Sequence, residues 1–155
     1  MRGVSLVEAL VVLVVLGVLV TLGYPAWAGF RVRLSVAAAS DALAASHALG
    51  RQVAAQYGRL SRLHLDPVED RFWVTIDTAA GWDTGREDTI GPVVHVRDEF
   101  DGVEIDGPAR LICFDPRGVA TPRGDCDLPN TTLVLRRGRV ADTVTISRLG
   151  RLRRW

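Results

Sequence analysis

The sequence predicts an α+β protein, with one long N-terminal α-helix packed on an antiparallel β-sheet domain. Three observations predict it. Residues Ala9 to Phe30 form a run of 22 without a charge. A helical pattern of apolar residues continues behind that run as far as Gln56. From Arg59 onward the pattern changes to alternation, with β-branched and aromatic residues between Gly- and Pro-containing breaks.

The helix comes first. At about 1.5 Å per residue the uncharged run is roughly 33 Å long, enough to cross a bilayer core. The first half of the helix is therefore read as transmembrane. Pro25 follows Tyr24 within it; a proline inside a helix removes one backbone donor and predicts a kink. Beyond it, Ala38, Ala42, Ala45, Leu49, Val53 and Tyr57 recur at spacings of three and four, which lays them on one face. This amphipathic second half needs a sheet to bury that face. Gly58 is the predicted stop. His47 lies on this helix and is read as a surface or boundary residue.

The strands follow. Candidates are Arg59–Leu65, Arg71–Asp77, Pro92–Arg97, Gly102–Asp106, Arg110–Phe114, Thr131–Arg136 and Arg139–Ser147, with a short last strand at Arg151–Arg154. Asp66-Pro67, Ala80-Gly81, Gly91-Pro92, Gly107-Pro108 and Pro129-Asn130 mark the breaks. The stretch Thr78–Ile90 is read as a loop of mixed charge. Arg136-Arg137-Gly138-Arg139 predicts a tight hairpin. Asp115-Pro116-Arg117-Gly118 carries the residues of a type I turn. His64 and His95 alternate with apolar residues and are read as sheet-face positions.

Composition narrows the function. A chain of 155 residues, less an anchor, leaves one small domain with one core. The net charge of +1 identifies no partner, but its distribution is uneven. Asp66 to Asp106 holds twelve acidic residues and three Arg, whereas Arg136 to Trp155 holds seven Arg and one Asp. All nineteen basic residues are Arg, a compositional habit that discounts any argument from Arg alone. The two cysteines, Cys113 and Cys126, suggest one disulfide in a domain outside the cytoplasmic membrane. No second Cys or His lies at zinc-ligand spacing from either. The acidic clusters lack an EF-hand pattern and read as solvated loops. No G-x-S-x-G, H-E-x-x-H or P-loop occurs, so the sequence offers no catalytic constellation and no cofactor site.

The one charge at the front of the apolar run is Glu8, and a carboxylate there needs a partner. Three readings compete. A secretory signal peptide would use Arg2 as its charged region and cleave after Ala26-Trp27-Ala28. A plain N-terminal anchor would stay uncut. The third reading rests on Gly3-Val4-Ser5-Leu6-Val7-Glu8, which resembles the leader motif of type IV pilins and pseudopilins. Val4 stands where that family usually has Phe. The resemblance implies that a prepilin peptidase cuts after Gly3 and methylates Val4, and that the helix stays on the protein. It implies that Glu8 sets subunit register, an arrangement in which Glu8 neutralises a neighbour's N-terminal ammonium. A signal peptide gains nothing from Glu8.

The C-terminal half resembles one branch of that superfamily. The order is Phe114 ending an apolar strand, Pro116-Arg117-Gly118, the strand Thr132–Leu135, and the ending Ser147-Arg148-Leu149-Gly150-Arg151-Leu152-Arg153. This looks like the GspH/FimT domain of the H-type minor pseudopilins of type II secretion and of FimT-like minor pilins. The resemblance implies a pilin-like fold in three parts: a leader, residues 1–3; a transmembrane and filament-core helix, 4–29; and a periplasmic domain, 30–155. It implies a non-enzymatic subunit of the bacterial inner membrane. Its partners would be other pseudopilins or minor pilins, the prepilin peptidase and secreted cargo. Some FimT-like minor pilins are linked to DNA uptake through a Gly-Arg-x-Arg ending. Arg151, Arg153 and Arg154, backed by Arg136, Arg137, Arg139 and Arg148, and with Trp155 as a stacking surface, are the residues that would contact a DNA backbone. The alternative for the same residues is a last strand with Arg on its solvent face, pairing with the acidic region of a neighbouring subunit. An alternative of another class is a secreted β-domain beginning at Gly29.

Overall fold

The computed structural model describes residues 6–78, 86–122, 124–127 and 130–155; of residues 22, 23, 25 and 26, inside the first helix, the side chains lie outside the described set. The element order is α1 (Leu6–Tyr57), β1 (Ser61–Asp66), β2 (Arg71–Asp77), β3 (Glu87–His95), α2 (Val96–Glu99), β4 (Glu104–Asp106), β5 (Arg110–Phe114), β6 (Ala120–Thr121), β7 (Thr131–Arg137), β8 (Val140–Ile146) and β9 (Leu152–Arg154). The chain divides into two units, Met1–Leu34 and Ser35–Trp155.

The first unit is helical in its described part, and every described side chain from Leu6 to Phe30 is exposed. Among the described residues no helix is long and apolar enough to cross a membrane. The run Ala9–Phe30 is interrupted in that set at residues 22, 23, 25 and 26. Pro25 falls within α1, but its side chain, and with it the predicted kink, lies outside the described residues.

The second unit joins the rest of α1 to two antiparallel sheets. Sheet A has the order β3-β2-β1-β5-β6, and sheet B the order β4-β7-β8-β9. Leu63, Leu65, Phe72, Val74, Ile112 and Phe114 of sheet A, and Leu133, Leu135, Val144 and Ile146 of sheet B, form one buried cluster with Val36, Ala39, Leu43 and Ala54 of α1. Alternation produces this directly, because every second residue of a strand faces the same way. The tight hairpin forms as predicted. Arg137 pairs with Val140 around Gly138-Arg139, and the positive φ of Gly138 alone gives the sign pattern of a type II′ turn. Gly58 ends the helix with φ +63°.

Several expectations are corrected. The buried stripe of α1 is Val36, Ala39, Ser40, Leu43, His47, Gly50, Val53 and Ala54. Of the predicted face, Val53 alone is buried; Ala45 and Tyr57 are exposed. Ala42, Ala45 and Leu49 instead line an open groove of about 350 Å³ with Pro92 and Val94. At Gly50 the absence of a side chain lets the sheet approach. A Cβ on Gly50 would lie 3.1 Å from the Phe114 ring, and the Gly50 carbonyl accepts from Ser61 Oγ at 2.6 Å. His47 is therefore buried rather than at the surface or boundary.

The predicted strand Pro92–Arg97 is displaced. β3 begins at Glu87, inside the predicted loop, and Val96–Glu99 form a helical turn. Val96 N–H donates to the Asp70 carbonyl at 2.7 Å and the Val96 side chain enters the core, which bends the chain out of the sheet. β6 was not predicted, and Ala80-Gly81, Trp82 and Pro129 lie outside the described residues.

Candidate functional site

Three places carry the chemistry singled out above: the C-terminal Arg segment, the disulfide-linked loop, and the start of α1. The C-terminal segment is built by a turn. Ser147 N–H donates to the Arg151 carbonyl at 2.9 Å, Gly150 N–H to the Ser147 carbonyl at 2.8 Å, and Arg151 N–H to Ser147 Oγ at 3.1 Å. Gly150 takes φ +72° and is buried; a Cβ there would sit 2.8 Å from the Ala120 Cβ and 3.4 Å from Phe114 Cε1. The Ser-x-x-Gly part of the ending is thus a structural corner, and it delivers the chain into β9.

The three Arg of the ending separate at that point. β9 pairs with β8 in the register Ile146↔Leu152, Thr145↔Arg153 and Val144↔Arg154. Directly opposed residues of an antiparallel pair share a face. Arg154 therefore lies on the face of buried Val144, and it bonds both Asp142 on β8 (3.0 Å) and Asp41 on α1. Burial works against its charge, but the pairing with Asp142 and Asp41 outweighs it, so its pKa is raised. Arg153 lies on the opposite face beside Thr145 and is exposed, as is Arg151. Arg136 faces Glu104 and Asp106, and Arg137 bonds Asp101. Arg139, Arg148, Arg151 and Arg153 form no ion pair among the described residues.

Cys113 and Cys126 are bonded to each other. The bridge pins the segment after β6 back over β5. There Asp127 N–H donates to the Leu111 carbonyl at 2.8 Å and its carboxylate accepts from Leu111 N–H at 2.8 Å. The preceding turn closes as predicted, Gly118 N–H to the Asp115 carbonyl at 2.7 Å. Burial opposes ionisation of Asp115, but bonds from the Arg117 side chain and from Val119 and Arg117 N–H hold its pKa below the usual value. The turn docks on the helix through Arg51 Nε and the Gly118 carbonyl, 2.8 Å apart.

A polar network on the outer face of sheet A escaped sequence reasoning. Arg62 Nε lies 3.2 Å from Glu87 Oε1, while Glu87 Oε2 accepts from Thr75 Oγ1 at 2.7 Å and lies 3.3 Å from His64 Nε2. The His64 ring stacks on Trp73 with centroids 4.6 Å apart, and Arg71 sits over Trp73. Burial lowers the His64 pKa despite Glu87. The signal was available as Arg62-x-His64 opposite Trp73-x-Thr75, but the partner Glu87 fell in a segment read as loop. Glu87 spends both oxygens within the network, which braces β1, β2 and β3 together. Among the described residues no group of three or more His, Cys, Asp or Glu could hold a metal ion.

Glu8 stands in the first turn of α1 and is exposed; Gly3 and Val4 lie outside the described residues. A carboxylate at that end of a helix is favoured by the unpaired N–H groups there.

No protein-family model matches the chain, and no curated protein sequence matches it. Among solved structures it is similar to the type IV minor pilin FimU of Pseudomonas aeruginosa, at 15% identity and a TM-score of 0.53, over 80% of this chain and 90% of that one. The long helix on antiparallel sheets is a pilin-like fold.

Proposed function

We propose that the chain is a GspH-like minor pseudopilin of a type II secretion system, a non-enzymatic subunit of the pseudopilus that drives protein export. The observation that carries this reading is the apolar start of α1, whose described residues from Leu6 to Phe30 are all exposed, directly behind the Gly3–Glu8 leader motif. An apolar helix exposed all round needs lipid or other helices as its surroundings. The uncharged run of 22 residues suits a single-pass anchor in the bacterial inner membrane before assembly and packing among subunit helices after it. Glu8 would then meet the methylated ammonium of a neighbour's Val4, a pairing that fixes axial register. The β-domain would lie in the periplasm and meet other pseudopilins or cargo.

A second reading, a FimT-like minor pilin of a type IV pilus that takes up DNA, draws support from the fold likeness to a type IV minor pilin. Genes beside the coding sequence separate the two: a secretion operon favours the first, a pilus and competence operon the second. A secreted β-domain is the reading both must beat.

N-terminal mass spectrometry of the protein from its native membrane tests the common part. The expected mature start is N-methylated Val4. A start at Gly29 overturns both pilin readings.

A further inference from the structure

Sheet B has two unlike edges. β4 forms one of them, and its outward Ile105 N–H is taken by Asp70 Oδ1 at 2.7 Å. Arg97 adds a lid there by bonding both Asp70 (2.9 Å) and Glu104 (3.0 Å). This edge is closed. β9 forms the other edge. Trp155 N–H donates to the Thr143 carbonyl and Ser147 N–H to the Arg151 carbonyl, so Arg151, Arg153 and Trp155 turn their backbone groups toward β8. Leu152 and Arg154, the alternate residues, turn theirs away from β8, and those N–H and C=O groups have no hydrogen-bond partner among the described residues.

An open edge is a template for another strand. Its flanks state the chemistry of that strand. Arg148, Arg151 and Arg153 are exposed and form no ion pair among the described residues, whereas Arg154 is held inward by Asp41 and Asp142. Leu149 and Trp155, 69% and 76% exposed, add apolar surface at the two ends.

We infer that the β9 edge receives an extended acidic segment of a partner protein as a fifth strand of sheet B, held by the Leu152 and Arg154 backbone and selected by Arg151 and Arg153. The free groups run along the strand at peptide spacing, and main-chain pairing of this kind takes a peptide rather than a phosphate chain. The inference is independent of the filament reading.

The test uses the full chain in detergent and a labelled acidic peptide, Glu-Val-Glu-Thr-Glu-Val, with its Lys counterpart and a single-stranded oligonucleotide as competitors. The expected result is saturable binding of the acidic peptide alone, with slowed amide exchange at Leu152 and Arg154. Leu152→Pro removes an outward donor without touching the bonds to β8 and is expected to weaken binding about tenfold. Arg153→Glu, on the exposed face, is expected to move preference to the Lys peptide and guards against a fold defect in the proline variant. Acidic-peptide binding unchanged by both variants overturns the inference. So does an oligonucleotide that displaces the peptide while exchange at Leu152 stays fast, or self-association lost in Leu152→Pro without peptide binding.

Discussion

The His47 ring meets the Phe114 ring edge-on, with centroids 5.2 Å apart and planes at 86°. The contact ties the buried stripe of α1 to the end of β5, and Gly150 closes over the same phenyl ring. His47 Nε2 is buried without a hydrogen-bond partner among the described residues. Burial, aided by the charge of Arg51 and opposed by the Gly150 carbonyl, lowers its pKa to about 4.

Acid should therefore loosen this core. The unfolded chain takes a proton on His47 as pH falls through about 6.5, while the folded chain resists until about pH 4. The stabilising difference is fully present above that window and is lost as pH falls through it. His47→Leu should gain about 2 kcal/mol over the parent on going from pH 7 to pH 4.5. Parallel denaturant titrations at the two pH values check this. A parent and variant with the same pH slope would mean that His47 is not held neutral. His64, whose pKa is also lowered, contributes a slope of the same sign in both proteins.

The Ser147–Gly150 corner should be intolerant of a side chain. Gly150→Ala must place a Cβ 2.8 Å from Ala120 at φ +72°, and is expected to cost about 2–4 kcal/mol. Gly138→Ala shares the positive φ but opens on free space, so its cost should stay near 1 kcal/mol. Thermal melts of the two variants should separate by several degrees. Equal losses would remove the packing argument.

Reduction should destabilise the β5 side of sheet A. The Cys113–Cys126 bridge closes a loop with a sequence separation of 13, for which the chain-entropy model gives about 3 kcal/mol. Cys126→Ala should lower Tm correspondingly and speed amide exchange at Leu111 and Asp127, whose mutual bonds the bridge holds in place. An unchanged Tm would mean that Asp127 pins the segment without it.

Arg153 and Arg154 should behave as opposites although they are adjacent. Arg154→Ala loses the Asp41 and Asp142 pairs and should cost about 1 kcal/mol, discounted for partial exposure and shrinking in high salt. Arg153→Ala should leave stability unchanged, since its side chain is exposed on the other face. A double-mutant cycle of Arg154→Ala with Asp41→Ala measures the link from β9 to α1, and zero coupling would dissolve it.

Periodicity and turn chemistry determined much of this protein. The helix to within a residue of Tyr57, the strands Arg71–Asp77 and Arg110–Phe114, the tight hairpin at Gly138, and the Asp115 turn all rest on neighbours within a few residues, and local sequence carries such information. The Cys pairing followed from there being two cysteines. Tertiary structure decided what depends on contact between distant segments. Which stripe of α1 is buried turned on where the two sheets meet the helix, so Val36, Ala39, Ser40, Leu43, His47 and Gly50 are buried in place of most of the predicted face. The start of β3 depended on pairing of Glu87 with Asp77, and the turn at Val96 on Asp70, 26 positions away in sequence. The separation of Arg153 from Arg154 was settled by pairing with β8 and by Asp41, more than a hundred residues upstream. A run of identical charges carries no record of which member will meet a partner; the pleat of the strand assigns that once its neighbour is in place.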